Sequence, residues 1–148
     1  MVFQATKMKE IEMKGIKTIG NNAFYKCTLM ESVIIPETVT TIGTHAFYGC
    51  VKLATVSYPV SVKTSATNIF EGCNGMKTLN IIGSGEMATY EKDKQPWSNV
   101  RSTLTTITIG ENVKTIGSYA FEGCTLLTSI NLKNVSRLGV KEPLSSFP

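Results

Sequence analysis

The chain has 148 residues, the size of one ordinary domain and long enough to bury a core. Hydrophobic residues make up 42% and charged residues 18%, which excludes a disordered or fibrous chain. The net charge of +4 comes from scattered lysines and not from a basic run, so nothing points to nucleic acid.

No stretch approaches the roughly 18 consecutive apolar residues of a membrane span, so no membrane insertion is expected. The opening MVFQATKMKE lacks the apolar segment of a signal peptide. The expectation is a cytosolic protein, a mature domain or a fragment of a longer one.

From the N-terminus onward one phrase returns six times: a large apolar residue, then others three and five positions on. The copies are Met8, Ile11, Met13; Met30, Val33, Ile35; Leu53, Val56, Tyr58; Met76, Leu79, Ile81; Leu104, Ile107, Ile109; and Leu127, Ile130, Leu132. Their leading residues step by 22, 23, 23, 28 and 23. The last two apolar residues of each copy alternate with polar ones, which predicts a short strand with one buried face. Ser32-Val33-Ile34-Ile35 and Thr106-Ile107-Thr108-Ile109 are rich in β-formers.

Another apolar residue follows each strand: Ile16, Val39, Val62, Val113 and Val135. Ile-Gly comes next at 19–20, 42–43 and 116–117. A compact phrase ends the unit, as Ala23-Phe24-Tyr25-Lys26-Cys27, Ala46-Phe47-Tyr48-Gly49-Cys50, Ile69-Phe70-Glu71-Gly72-Cys73 and Ala120-Phe121-Glu122-Gly123-Cys124. It is expected to form one loose helical turn, with glycine supplying a positive φ at little cost. A single unit buries too little to offset the entropy of ordering it, so units must stack and share their apolar faces.

The phrase Ile-Gly-x-x-Ala-Phe-x-Gly-Cys-x-x-Leu-x-x-Val at residues 42–56 resembles the BspA-like leucine-rich repeat. The resemblance runs from about Met8 to Leu138. It implies a leucine-rich-repeat solenoid, a right-handed coil with a short-stranded parallel β ladder along one side and short helical turns. Residues 1–148 are then one domain of about six coils, complete in itself or a fragment of a longer array. The family is implied to be secreted or on the cell surface and to act in adhesion or recognition.

One copy is irregular. Between Ile81 and Leu104 the step of 28 holds five extra residues, and Trp97 is expected to replace the buried phenylalanine. Residues 82–96 then form a widened loop. Its Gly-x-Gly-x-Met…Tyr…Pro-Trp phrase is similar to an irregular repeat of relatives. The loop is read either as a packed variant coil or as a binding protrusion using Tyr90, Lys92, Lys94 and Arg101.

Catalytic chemistry finds little support. The four cysteines share one repeat position and read as buried thiols, although column neighbours could geometrically admit a disulfide. There is no CxxC or paired histidine for a metal. His45, the one histidine, is expected at a variable surface position shared with Asn22, Asn68 and Tyr119. Pairing it with Cys50 as a nucleophile would need an exposed thiol. Gly83-Ser84-Gly85 lacks the rest of a phosphate loop and reads as a turn. Asn134-Val135-Ser136 fits a glycosylation sequon, relevant only in a eukaryotic secretory pathway. No enzyme activity and no cofactor are expected.

Ligand binding is expected on strand residues that face away from the core, on the concave sheet of such a solenoid. One row holds Glu10, Ser32, Thr55, Thr78, Thr106 and Ser129; the next holds Glu12, Ile34, Ser57, Asn80, Thr108 and Asn131. The partner would be a protein or glycan, from extracellular matrix or a host surface. The competing readings are a structural spacer, in which threonine merely suits strands, and an intracellular adaptor. Leu144 and Phe147 are expected to fold back as a lid; otherwise the coil ends would favour end-to-end self-association.

Overall fold

In the computed structural model, residue 11 and residues 13–138 are described. Met8, Glu10, Glu12, Leu144 and Phe147 lie outside them. The chain winds into a parallel β-solenoid of about five turns. Its strands are β1 (Thr18–Ile19), β2 (Ser32–Ile34), β3 (Thr41–Ile42), β4 (Thr55–Pro59) and β5 (Thr64–Ser65). They continue as β6 (Thr78–Ile82), β7 (Gly85–Glu86), β8 (Thr106–Ile109), β9 (Val113–Ile116) and β10 (Arg137–Leu138).

The predicted ladder is the four-stranded sheet β2-β4-β6-β8, parallel throughout. Its register sets Val33 beside Val56, Val56 beside Leu79, and Leu79 beside Ile107, all buried. The alternation seen in sequence thus becomes an apolar inner face and a polar outer face.

Beyond the ladder read from the sequence there are more strands. A second set lies on another side of the coil, as sheets β1-β3-β5 and β7-β9-β10. Its residues are the Thr-Ile pairs before the glycine turn, with Ile19 beside Ile42 and Arg137-Leu138 beside Thr115-Ile116. Once one ladder fixes the stacking, those short β-branched segments meet in register and pair as well. The second ladder is broken between β5 and β7, where the irregular coil begins; the first runs through without a break.

The helical turn expected at Ala-Phe-x-x-Cys is a chain of tight turns. Tyr25 N–H donates to Asn22 O, Cys27 N–H to Phe24 O and Met30 N–H to Cys27 O. Residues at positive φ interrupt any helix: Asn22 (56°) and Lys26 (53°), His45 (55°) and Gly49 (70°), Tyr119 (58°) and Gly123 (79°). One helical segment occurs among the described residues, the 3-10 turn Arg101–Thr103.

Stacking the coils makes columns. Phe24, Phe47 and Phe70 stack with centroids 5.0 and 5.5 Å apart, close to the strand spacing of roughly 4.8 Å. Trp97 extends this column as expected, 6.0 Å from Phe121 and 23° from parallel. Its indole N–H, which phenylalanine lacks, donates to Ala120 O at 2.7 Å.

The four cysteines are buried. Cys50 Sγ donates to Phe24 O at 3.2 Å and Cys73 Sγ to Phe47 O at 3.0 Å. The neighbouring Cys73 thiol and burial together push the Cys50 thiol far above its ordinary range, so it stays protonated and inert.

A paired exchange occupies the third coil. Tyr58 stands where Ile81 stands in the next coil, and Ser65 where Ile42 stands in the one before. The larger phenol is accommodated by the smaller serine. Its hydroxyl faces Ser65 without closing a full hydrogen bond, and burial pushes its pKa up.

Candidate binding surface

The outer face of the first ladder carries two rows in register. Ser32, Thr55, Thr78 and Thr106 form one; Ile34, Ser57, Asn80 and Thr108 form the other. Thr106 and Thr108 are exposed and the middle strands half-buried, while Ile34 is 62% exposed. Thr108 Oγ1 donates to Asn80 Oδ1 at 2.6 Å, and Asn80 Nδ2 donates to Ser57 Oγ at 3.5 Å. No acidic or basic side chain stands at these eight positions.

Two residues expected on this face lie beyond it. Ser129 and Asn131 are exposed, but their segment forms no strand beside β8. Asn131 Oδ1 instead accepts from the Lys133 N–H at 3.0 Å, a local turn that competes with strand pairing.

The irregular coil is packed more fully than a widened loop would be. Met87, Gln95, Pro96 and Trp97 are buried, and β7 lies within the segment. Tyr90 turns inward, meeting the Trp97 ring edge-on at 5.6 Å, and burial pushes its hydroxyl pKa up. It therefore does not reach outward beside Lys92 and Lys94, which are exposed. Arg101 Nη1 lies 2.6 Å from Asp93 Oδ1 and holds that carboxyl below its usual range. Lys92 Nζ is 4.0 Å from Glu122 Oε1.

His45 is not a plain surface residue. It is half-buried and left-handed, with Nε2 3.2 Å from Glu71 Oε2 and 3.0 Å from Asn68 Nδ2. The spacing of the repeat placed its neighbours correctly; the contact across coils needed coordinates. Among the described residues no group of three or more His, Cys, Asp or Glu could hold a metal ion.

Repeated coils, a parallel ladder and an inward column of apolar side chains define a leucine-rich-repeat solenoid. The BspA type leucine rich repeat region matches the chain in six copies, over residues 1–92 and 96–141, and the chain belongs to that family. Leucine-rich repeats generally mediate protein binding. Family members are typically surface-associated.

A leucine-rich repeat protein from Eubacterium ventriosum is similar in fold, with TM-score 0.58 and 21% identity. The match covers 95% of this chain and 44% of that one, so the chain spans less than half of that relative. A leucine rich repeat protein of T. pallidum gives TM-score 0.50 and 25% identity, over 88% of this chain and 69% of that one. No match is found among curated proteins.

Proposed function

We propose that the chain is a protein-recognition module, part of a secreted or surface solenoid, that binds its partner through the outer face of β2-β4-β6-β8. The observation that carries this reading is the composition of that face. Seven of its eight outward positions are Ser, Thr or Asn, set in straight rows on a rigid ladder. Such short side chains lose little rotamer freedom when a partner immobilises them, so their hydrogen bonds are gained at low entropic cost. With no charge in the rows, selection rests on shape and hydrogen bonding and not on long-range attraction. Extracellular-matrix and host-surface proteins are the partner class that the family's surface setting favours.

Thr55→Glu with Thr106→Glu tests this. The two sites are separated by β6, so the new carboxylates do not sit directly opposite each other. Against immobilised extracellular-matrix proteins the parent chain binds, and the variant loses roughly tenfold or more in affinity with its thermal unfolding nearly unchanged. A folded variant that binds as the parent does removes the ladder face from the reading.

The spacer reading draws on one observation. The Thr108–Asn80–Ser57 contacts satisfy part of the row's hydrogen-bonding capacity internally. Absence of binding to every matrix protein by the parent chain favours it.

A further inference from the structure

The outer face of the first ladder changes character where its strands end. Past the two polar rows, alternation brings Pro36, Pro59 and Ile82 to the same side, with Pro59 beside Ile82 in the parallel register. Pro59 is buried, and Pro36 and Ile82 are half-buried. Ile34, two residues before Pro36 and 62% exposed, borders this row. A lone exposed isoleucine is ordinary, but one that continues into an apolar row makes a patch.

The next position along the strands opens into a cleft of about 260 Å³. Val60 and Gly83, which follow Pro59 and Ile82, line it together with Glu37, Lys63 and Glu86. Two of the three charges are engaged. Lys63 Nζ donates to Glu86 O at 3.0 Å, and Arg137 Nη2 donates to Glu86 Oε1 at 3.1 Å. The Glu37 carboxyl carbon lies over Gly83, 3.7 Å from where a Cβ would stand. Glu37 is exposed and has no ion-pair partner among the described residues. An apolar corner thus adjoins a cleft that holds one uncompensated carboxylate.

We propose that this corner selects the partner: an extended protein segment carrying a large apolar side chain with a lysine or arginine beside it. The inference rests on the ladder-face reading above and adds the chemistry of its partner. The apolar side chain covers Ile34 and the Pro36, Pro59, Ile82 row, while the cation enters the cleft and meets Glu37. Charge complementarity excludes an acidic segment, which Glu37 would repel. A glycan fits poorly, because its hydroxyls would lose water against aliphatic side chains and two prolines that have no N–H to offer. An extended segment presents alternate side chains to a sheet face, so one apolar and one basic group reach neighbouring positions.

A library of short fluorophore-labelled peptides is titrated with the intact chain by fluorescence anisotropy. Its members differ at two positions, leucine, phenylalanine or serine at one and lysine, glutamine or glutamate at the other. A peptide pairing the apolar residue with lysine binds most tightly. Ile34→Ser weakens it roughly tenfold or more through lost apolar burial. Glu37→Gln weakens it about threefold at low salt, and leaves the glutamine peptide unaffected. Added salt removes the Glu37 effect and spares that of Ile34. Both substitutions fall on exposed side chains, so the unfolding midpoint stays nearly unchanged. No binding of any apolar-lysine peptide up to roughly 1 mM, tighter binding of a glutamate peptide, or unchanged binding by either variant overturns the proposal. The ladder-face reading is judged separately, by matrix-protein binding of the Thr55→Glu, Thr106→Glu variant.

Discussion

Replacing Phe47 by alanine is expected to cost about 4 kcal/mol, a large share of the roughly 5–15 kcal/mol that holds an ordinary domain together. Phe47 is fully buried and stacks on Phe24 on one side and Phe70 on the other. Its removal empties the column at one coil and strips contacts from both neighbours, and the backbone cannot collapse into the gap while the ladders hold the coil spacing. Urea unfolding followed through Trp97, itself buried and the one tryptophan, reads the loss. Tyr25→Ala, on a partly exposed ring of the same turn, is the control and costs about 1 kcal/mol or less. Equal costs for the two would mean that the Phe column is not the spine.

Gly117→Ala is expected to be as damaging by the opposite route. A Cβ at Gly117 would lie 1.7 Å from Ala88 O and 2.7 Å from Ala88 C. Those are backbone atoms of the preceding coil, so no side-chain rotation relieves the clash, and the coils themselves must separate. The expected cost is at or above the upper end of the roughly 1–3 kcal/mol typical of overpacking. Gly20 holds the same position of the phrase in an earlier coil, where an added Cβ meets nothing within 4 Å. Gly20→Ala should therefore leave the unfolding midpoint almost unmoved. A small effect of Gly117→Ala would show that the coils do not approach each other as closely as described.

The contrast between these glycines shows which parts of the fold were legible in sequence. The 23-residue recurrence of Ala-Phe-x-Gly-Cys and of the alternating Leu-x-x-Val-x-Tyr type placed the first ladder, the phenylalanine column and the buried thiols, because period and burial are written in residue type. Trp97 could be assigned to the column as the large aromatic nearest the phenylalanine position, although it lies seven residues before Leu104 where each phenylalanine lies six before its leading residue. The second ladder was not legible, since two-residue strands such as Thr41-Ile42 carry no periodicity of their own and pair only because stacking aligns them. The left-handed residues His45 and Tyr119 broke the expected helical turn; nothing in an isolated His or Tyr signals positive φ.

The surface was less legible than the core. The outward rows followed from alternation, yet Ser129 and Asn131 satisfied the same pattern and stand outside the ladder. Tyr90 has the composition of a contact residue and packs on Trp97 instead. Tyr25 stacks on Tyr48 of the next coil, and His45 meets Asn68 and Glu71 of the one after it, so these residues become neighbours only after the coils stack.

The central claim is that successive coils stack in parallel, one repeat apart, on a shared apolar spine. Amide and methyl proton contacts measured by NMR test it most directly. The account predicts contacts from Val56 to Val33 and to Leu79, and from Leu79 to Ile107, in parallel register. An antiparallel pattern between these segments, or contacts that skip a repeat, would contradict it.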